Sequence, residues 1–196
     1  MLFRSLLLTH GDPDHIGGAV AVMGDFSPAR VWEGVRVPDH APSRIVFAEA
    51  RARGIHVERQ LAGAAFDIGG VRLRVLHPPP QDWTRVRVRN DDSVVLELTY
   101  GDVAMLMLGD VSADIEKRIL PTLSRSAVRI LKVAHHGSRT ATSPELLEVW
   151  RPQVAIISCG RGNTFGHPAP DVLARLRASG RSEEHTSELQ SRFGIS

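Results

Sequence analysis

Short apolar segments alternate with polar ones along the chain, and their periods predict alternating strands and helices. Strands are predicted at residues 6–8, 30–32, 55–57, 71–76, 93–100, 103–108, 128–134 and 154–158. Helices are predicted at residues 19–26, 43–53 and 115–123, and two more begin at Pro144 and Pro170. Residues 63–70 are interpreted as a turn region. This alternation predicts an α/β layered domain.

Reactive side chains follow several of these predicted strands. His10, Asp12, Asp14 and His15 come directly after the first strand, and a glycine pair follows them. A solvated turn explains this set poorly, because unpaired carboxylates and imidazoles gain nothing from packing there. Metal ligation explains it better, since both residue types are ligands for divalent cations.

Three further segments place similar residues after strands. Asp110 follows the predicted hairpin, His135 and His136 follow the strand at 128–134, and His167 lies in a glycine-rich loop after the strand at 154–158. Taken alone, Asp110 could equally be a helix N-cap, and one of the paired histidines could be buried and satisfied by a backbone carbonyl.

Together these segments resemble the metallo-β-lactamase fold. The first motif is similar to the variant His-x-Asp-x-Asp-His of the ComEC competence proteins, and Gly109-Asp110, residues 132–138 and residues 163–168 follow in the family's order. The resemblance implies an αββα sandwich with metals at the edge where these loops meet. It also implies that the family's first strands, which normally precede the first motif, are missing here.

The resemblance also implies a site for one or two divalent metal ions, zinc or manganese. Its ligands would be His10, Asp12, Asp14, His15, Asp110 and His167. The first two would bind one ion and the next two the other, with Asp110 bridging and His167 completing the second position. His135 and His136 are the implied catalytic residues, stabilising the phosphate or protonating the leaving oxygen.

Two positions depart from the wider superfamily. Asp12 replaces a histidine, and the third histidine expected for the first metal falls near Asn90, a poor ligand, although Asp91 could reach instead. Oxygen ligands weaken the case for zinc at that position and favour manganese or magnesium.

The function implied is a metal-dependent phosphodiester hydrolase, a DNA nuclease, within a DNA-uptake channel protein. Its partners would be single-stranded or double-stranded DNA and the membrane channel domain of the parent chain. The domain itself would be a soluble, extracytoplasmic part of a bacterial inner-membrane protein. The alternatives are a stand-alone hydrolase of a small ester and a non-catalytic DNA-binding module of the channel.

Composition adds little to this interpretation. The formal net charge of +2 is too small to indicate a nucleic-acid partner. The single cysteine, Cys159, excludes an internal disulfide framework, and its apolar neighbours predict a buried strand residue. No apolar segment reaches the roughly 20 residues of a membrane-spanning helix.

Two groups of residues match no motif. Arg85, Arg87 and Arg89 would share one face of an extended segment, either as a phosphate-contacting stripe or, as we favour, as a solvated strand face. The remaining histidines are interpreted as surface or loop residues; these are His40, His56 and His77.

Both ends of the chain resemble translated sequencing adapters. Residues 181–196 and residues 1–5 are therefore interpreted as adapter-derived, and residues 6–180 as a single hydrolase domain truncated at its N-terminal side.

Overall fold

The computed structural model describes residues 4–81, 83–179 and 183–186. The strands are β1 (Ser5–Leu8), β2 (Arg30–Glu33), β3 (His56–Arg59), β4 (Ala65–Ile68), β5 (Val71–His77), β6 (Val95–Tyr100), β7 (Val103–Met107), β8 (Val128–Lys132), β9 (Val154–Ile157) and β10 (Glu183–Thr186). The helices are α1 (Pro13–Ile16), α2 (Ala19–Phe26), α3 (Ala41–Ala52), α4 (Ala113–Ile119), α5 (Pro144–Trp150) and α6 (Pro170–Ala178).

The first half of the chain forms a small parallel sheet in the order β1-β2-β3. Helices α1 to α3 cover one face of it. Leu8 and Val31 from the strands pack there with Met23 of α2 and with Val46 and Ala50 of α3. Burial of these apolar side chains holds the first loop, between β1 and α1, against a rigid layer.

The second half forms a larger sheet in the order β10-β9-β8-β7-β6-β5-β4. Strands β7, β8 and β9 are parallel, whereas β4 to β7 are joined by antiparallel pairings. Helices α4 to α6 pack on one face, where Trp150 and Leu176 meet Leu106 and Leu131.

The two sheets face each other across a third apolar cluster. Leu7 of β1 packs against buried Val75 and Leu96 of the larger sheet. The Trp32 and Phe66 rings stack between the sheets with centroids 4.8 Å apart. The layers therefore run helix, sheet, sheet, helix, which is the αββα sandwich that the motifs implied.

Most predicted elements form, but one strand was missed. Residues 63–70 were predicted to be a turn region, yet β4 forms within them and pairs antiparallel with β5. Glycines bracket this four-residue strand, and Phe66 is the one residue of it that packs between the sheets. So short a strand carries too little periodicity to be detected from sequence.

Three expectations about particular side chains are also wrong. His77 is the last residue of β5 and is buried, and its Nε2–H donates to the Asp91 carbonyl at 2.8 Å, which satisfies the buried ring. Cys159 lies beyond the end of β9 and is only partly buried. The predicted arginine stripe does not form, because its residues are not in a strand and Arg85 makes a paired hydrogen bond to the carboxylate of Asp92.

The adapter interpretation of the two ends stays a prediction. Residues 1–3, 181–182 and 187–196 lie outside the described residues, while residues 183–186 form β10, which pairs parallel with β9. Within the described part of the chain, no helix has both the length and the apolar character needed to span a membrane.

Candidate metal centre

The candidate site lies where several loops meet at one edge of the sandwich. Because β7, β8 and β9 are parallel, their carboxyl ends reach the same edge. Asp110 follows β7, His135 and His136 follow β8, and His167 lies on the loop after β9. The loop after β1 and the short helix α1 bring the first motif to the same place.

Four side chains converge most closely. Asp14, His15, Asp110 and His136 each offer one ligand atom, and these atoms all lie within 4.8 Å of one another. Nε2 of His15 is 3.2 Å from Oδ2 of Asp110, and Nε2 of His136 is 3.1 Å from Oδ2 of Asp14. Two carboxylates and two imidazoles at this spacing can hold a divalent cation.

His10 and Asp12 form a separate pair beside this cluster. Nε2 of His10 lies 3.1 Å from Oδ2 of Asp12, and the His10 and His15 rings are 4.2 Å apart. His10 is buried, whereas the Asp12 side chain is 37% exposed. The pair is therefore adjacent to the cluster and open to solvent on one side.

Thr9 and Ser93 position the histidines and were missed from the sequence. The Thr9 hydroxyl lies 3.1 Å from Nδ1 of both His10 and His15. The Ser93 hydroxyl lies 3.2 Å from Nδ1 of His10 and accepts from the backbone N–H of Asp110. Such outer contacts fix which ring nitrogen faces a metal. The position of Thr9, immediately before the first motif, was the sequence signal that could have identified it.

His136 is oriented toward the cluster by the backbone. Its Nδ1–H donates to the Ser158 carbonyl at 2.7 Å, which leaves Nε2 facing Asp14, His15 and Asp110. His136 was expected to be a catalytic residue, but its Nε2 lies among the four converging ligand atoms.

The segment that carries the paired histidines has an unusual backbone. His135, His136 and Gly137 have φ angles of 47°, 54° and 84°, so all three lie in the left-handed region. This region costs a non-glycine residue roughly 1–2 kcal/mol. Tertiary hydrogen bonds hold the segment in place, from the His135 N–H to the Gly109 carbonyl and from the Ala169 N–H to the Gly137 carbonyl. Strain that is held by the surroundings often marks a functional site.

His135 lies at the margin of the cluster. Its Nε2 is 3.9 Å from Oδ2 of Asp110 and accepts a hydrogen bond from the Asn90 amide at 3.2 Å. Asn90, at the position expected for a third histidine ligand, thus contacts a candidate catalytic residue.

The alternative ligand at that position, Asp91, is directed elsewhere. Its Oδ1 accepts from the Ser112 N–H at 2.8 Å, at the start of α4. The carboxylate therefore serves as a cap for the helix, and its backbone carbonyl is the group that His77 contacts.

His167 does not join the group of four. Its ring makes an edge contact with His135, with centroids 5.8 Å apart. Its Nδ1 is buried and has no hydrogen-bond partner among the described residues. Asn163 fixes the loop, because its side chain donates to the His167 carbonyl at 2.6 Å and accepts from the His167 N–H at 3.0 Å.

The electrostatics of the site favour an anionic Asp110. Burial alone would raise the pKa of its carboxyl, but hydrogen bonds from His136 and His15 together hold that pKa well below its usual range. The hydrogen bond to Asp110 raises the pKa of His136 in turn, so a proton competes with a cation for that ring. Burial, and then the charge of His15, lower the pKa of His10 and favour its neutral form.

The chain is similar to known proteins in family, in sequence and in fold. The family model described as the metallo-beta-lactamase superfamily matches residues 4–161. The chain is 30% identical over 173 residues to ComE operon protein 3 of Bacillus subtilis, covering 88% of this chain and 22% of that protein. It is 31% identical over 187 residues to Recombination protein 2 of Haemophilus influenzae, covering 95% and 21%. The chain thus spans about a fifth of the length of these relatives.

Solved structures share the fold at low sequence identity. A diphosphatase from the PhnP family aligns with a TM-score of 0.52 and 16% identity, covering 98% of this chain and 72% of that one. CmlA, a diiron β-hydroxylase from Streptomyces venezuelae, aligns with a TM-score of 0.54 and 14% identity, covering 95% and 44%. At these identities the similarity concerns the fold alone.

Proposed function

The chain belongs to the metallo-β-lactamase superfamily, and we propose that it is the phosphodiester hydrolase domain, a DNA nuclease, of a longer DNA-uptake protein. The observation that carries this proposal is the convergence of two carboxylates and two imidazoles beside an open groove. The αββα fold and the resemblance to ComEC competence proteins, both expected from the motifs, are confirmed.

The donor set fits a divalent cation, and we propose zinc or manganese. Imidazole nitrogens suit zinc and carboxylate oxygens suit manganese, and this donor set contains two of each. Asp14, His15, Asp110 and His136 would hold one ion, and His10 with Asp12 would contribute to a second beside it. When bound, such ions supply Lewis acidity toward phosphate oxygens and lower the pKa of a water molecule.

The proposed roles of two histidines differ from those in the sequence analysis. We assign His136 to the ligand set, because its Nε2 faces three other ligand atoms. We assign His167 to the substrate side, because it lines the groove outside the group of four.

His135 is the residue we propose for charge or proton transfer to the leaving oxygen. It lies at the edge of the cluster, half-buried, and the Asn90 amide fixes its ring. Histidine is the side chain that most often transfers protons in active sites, and this ring lies beside the proposed ion position.

The substrate class is inferred from the relatives. Similarity to a protein named Recombination protein 2 and to one named competence protein ComA supports a polynucleotide substrate taken up during competence. In the proposed arrangement the domain is a soluble, extracytoplasmic part of a bacterial inner-membrane protein, attached to a membrane channel domain. Single-stranded and double-stranded DNA are both to be tested.

The test compares cleavage of end-labelled DNA by the wild-type chain and by Asp110→Ala. We expect cleavage with manganese or zinc, loss of cleavage with a chelator, and a rate at least about 100-fold lower in the variant, since even outer-shell changes at metal sites cost roughly 10- to 100-fold. Asp102→Ala is the matched control, because this exposed aspartate lies at the opposite end of β7.

The possible results distinguish the proposed function from its two alternatives. Unchanged cleavage after Asp110→Ala would overturn the proposal. Turnover of small phosphodiesters with no preference for DNA would select a stand-alone hydrolase. DNA binding that survives chelation, with no cleavage under any divalent metal, would select a non-catalytic DNA-binding module.

A further inference from the structure

We propose that Phe165 is a stacking platform for a nucleobase, so that the site takes a polynucleotide strand whose bases are unpaired. This inference rests on the proposed phosphodiesterase function and specifies its substrate. It concerns a residue outside the ligand set, on the loop that follows β9.

Phe165 is strongly exposed although its loop is tied down. Its side chain is 80% exposed. Asn163 fastens the loop on both sides, donating to the Gly160 and His167 carbonyls at 2.9 and 2.6 Å and accepting from the His167 N–H. An aromatic ring held in the open by such a loop is available to a ligand without any rearrangement.

The Phe165 ring lies beside another ring. The Phe165 and His167 rings are stacked, with centroids 5.9 Å apart and planes inclined by 19°. His167 in turn makes an edge contact with His135 at 5.8 Å. A base lying on the open face of Phe165 would therefore extend a row of rings that leads to the margin of the ligand cluster.

The same groove joins Phe165 to that cluster. Its volume is about 290 Å³, and its walls include Phe165, His167, Asp14 and His136. This volume is just below the range for small-ligand sites, roughly 300–1,000 Å³, and suits one nucleotide rather than a duplex. A phosphodiester at Asp14 and His136 would thus carry its neighbouring base toward Phe165.

Stacking implies a strand preference. A base inside a duplex has both faces covered by its neighbours, whereas an unpaired base can lie on an aromatic side chain. Such stacking tolerates any base sequence, because every base has a π face. The groove therefore favours single-stranded ends or segments, without sequence specificity.

The test compares an oligothymidylate with an abasic oligonucleotide of the same length and charge. Binding is measured by fluorescence anisotropy and cleavage by gel, both with manganese. We expect the wild-type chain to bind the base-containing strand about tenfold more tightly, a typical effect for stacking on one aromatic residue. Phe165→Ala should reduce this ratio to about one, and Phe165→Trp should keep it.

Tyr100→Ala is the matched control, because this aromatic side chain is also strongly exposed, at 64%, but lies at the far end of the β6–β7 hairpin. It should leave the ratio unchanged. An equal loss of binding to both strands in Phe165→Ala, or no loss at all, would overturn the inference.

The binding measurement separates this inference from the proposed function. A chain that cleaves nothing but discriminates the two strands through Phe165 would refute the nuclease and retain the stacking role. A chain that cleaves both strands equally well, with or without Phe165, would retain the nuclease and refute the stacking role.

Discussion

Gly137→Ala should destabilise the fold at the point where the candidate metal centre is assembled. Gly137 has φ of 84°, and an added Cβ would lie 2.6 Å from Cβ and 3.0 Å from Cα of Pro168. Carbon atoms prefer separations of roughly 3.5–4.0 Å, so the rigid Pro168 ring would have to move. The left-handed backbone costs about 1–2 kcal/mol, and overpacking costs about 1–3 kcal/mol more. The free energy of unfolding is therefore expected to fall by about 2–5 kcal/mol.

Urea denaturation gives the free energy of unfolding for this variant and for its control. Gly162→Ala is the matched control, because Gly162 also has a left-handed φ, of 66°, but nothing lies within 4 Å of the added Cβ. Its free energy of unfolding should fall only by the cost of the left-handed backbone, about 1–2 kcal/mol. Equal losses in the two variants would refute the reasoning, because the contact with Pro168 would then contribute nothing.

Three further predictions concern neighbouring parts of the site. Asp91→Ala should lower the free energy of unfolding by about 1 kcal/mol, as removal of a helix cap does. Calorimetry should show an unchanged metal affinity. A large loss of metal affinity would instead make Asp91 a ligand. Zinc at 100 times its Kd should raise the free energy of unfolding by about 2.7 kcal/mol. In thermal melts, the His136→Ala variant should show little of this stabilisation at the same zinc concentration. An equal stabilisation in the variant would remove His136 from the ligand set. Glu116→Gln should lower the free energy of unfolding in urea by about 1–3 kcal/mol, because each carboxylate oxygen accepts from one backbone N–H group and an amide has only one oxygen. No loss would show that those bonds do not stabilise the fold.

The edge of the sandwich where the candidate residues meet was implied by the resemblance of the motifs to the metallo-β-lactamase fold. Asp110, His135 and His167 each follow a predicted strand, and parallel strands bring such residues together. The observed strand order therefore explains why these residues lie at one edge. The fold class followed from the hydrophobic pattern together with the four motifs.

The roles within the site could not be obtained in this way. Whether His136 or His167 faces the other ligand atoms depends on left-handed backbone angles and on a hydrogen bond to Ser158, a residue far away in sequence. His77 was expected to be a surface or loop residue, but it is buried and donates to a carbonyl fourteen residues along the chain. Such contacts are set by tertiary packing and leave no trace in a local pattern.

The two proposed ion positions should be unequal, and the structure gives the reason. The position at Asp110 and His136 has four converging ligand atoms. The other position has His10 and Asp12, which already contact each other. The two residues that could have added a ligand there are engaged elsewhere, since Asn90 contacts His135 and Asp91 caps α4. Affinity rises with the number of well-placed donors, so one ion should bind tightly, and the second should depend on oxygen atoms that a phosphate substrate brings with it.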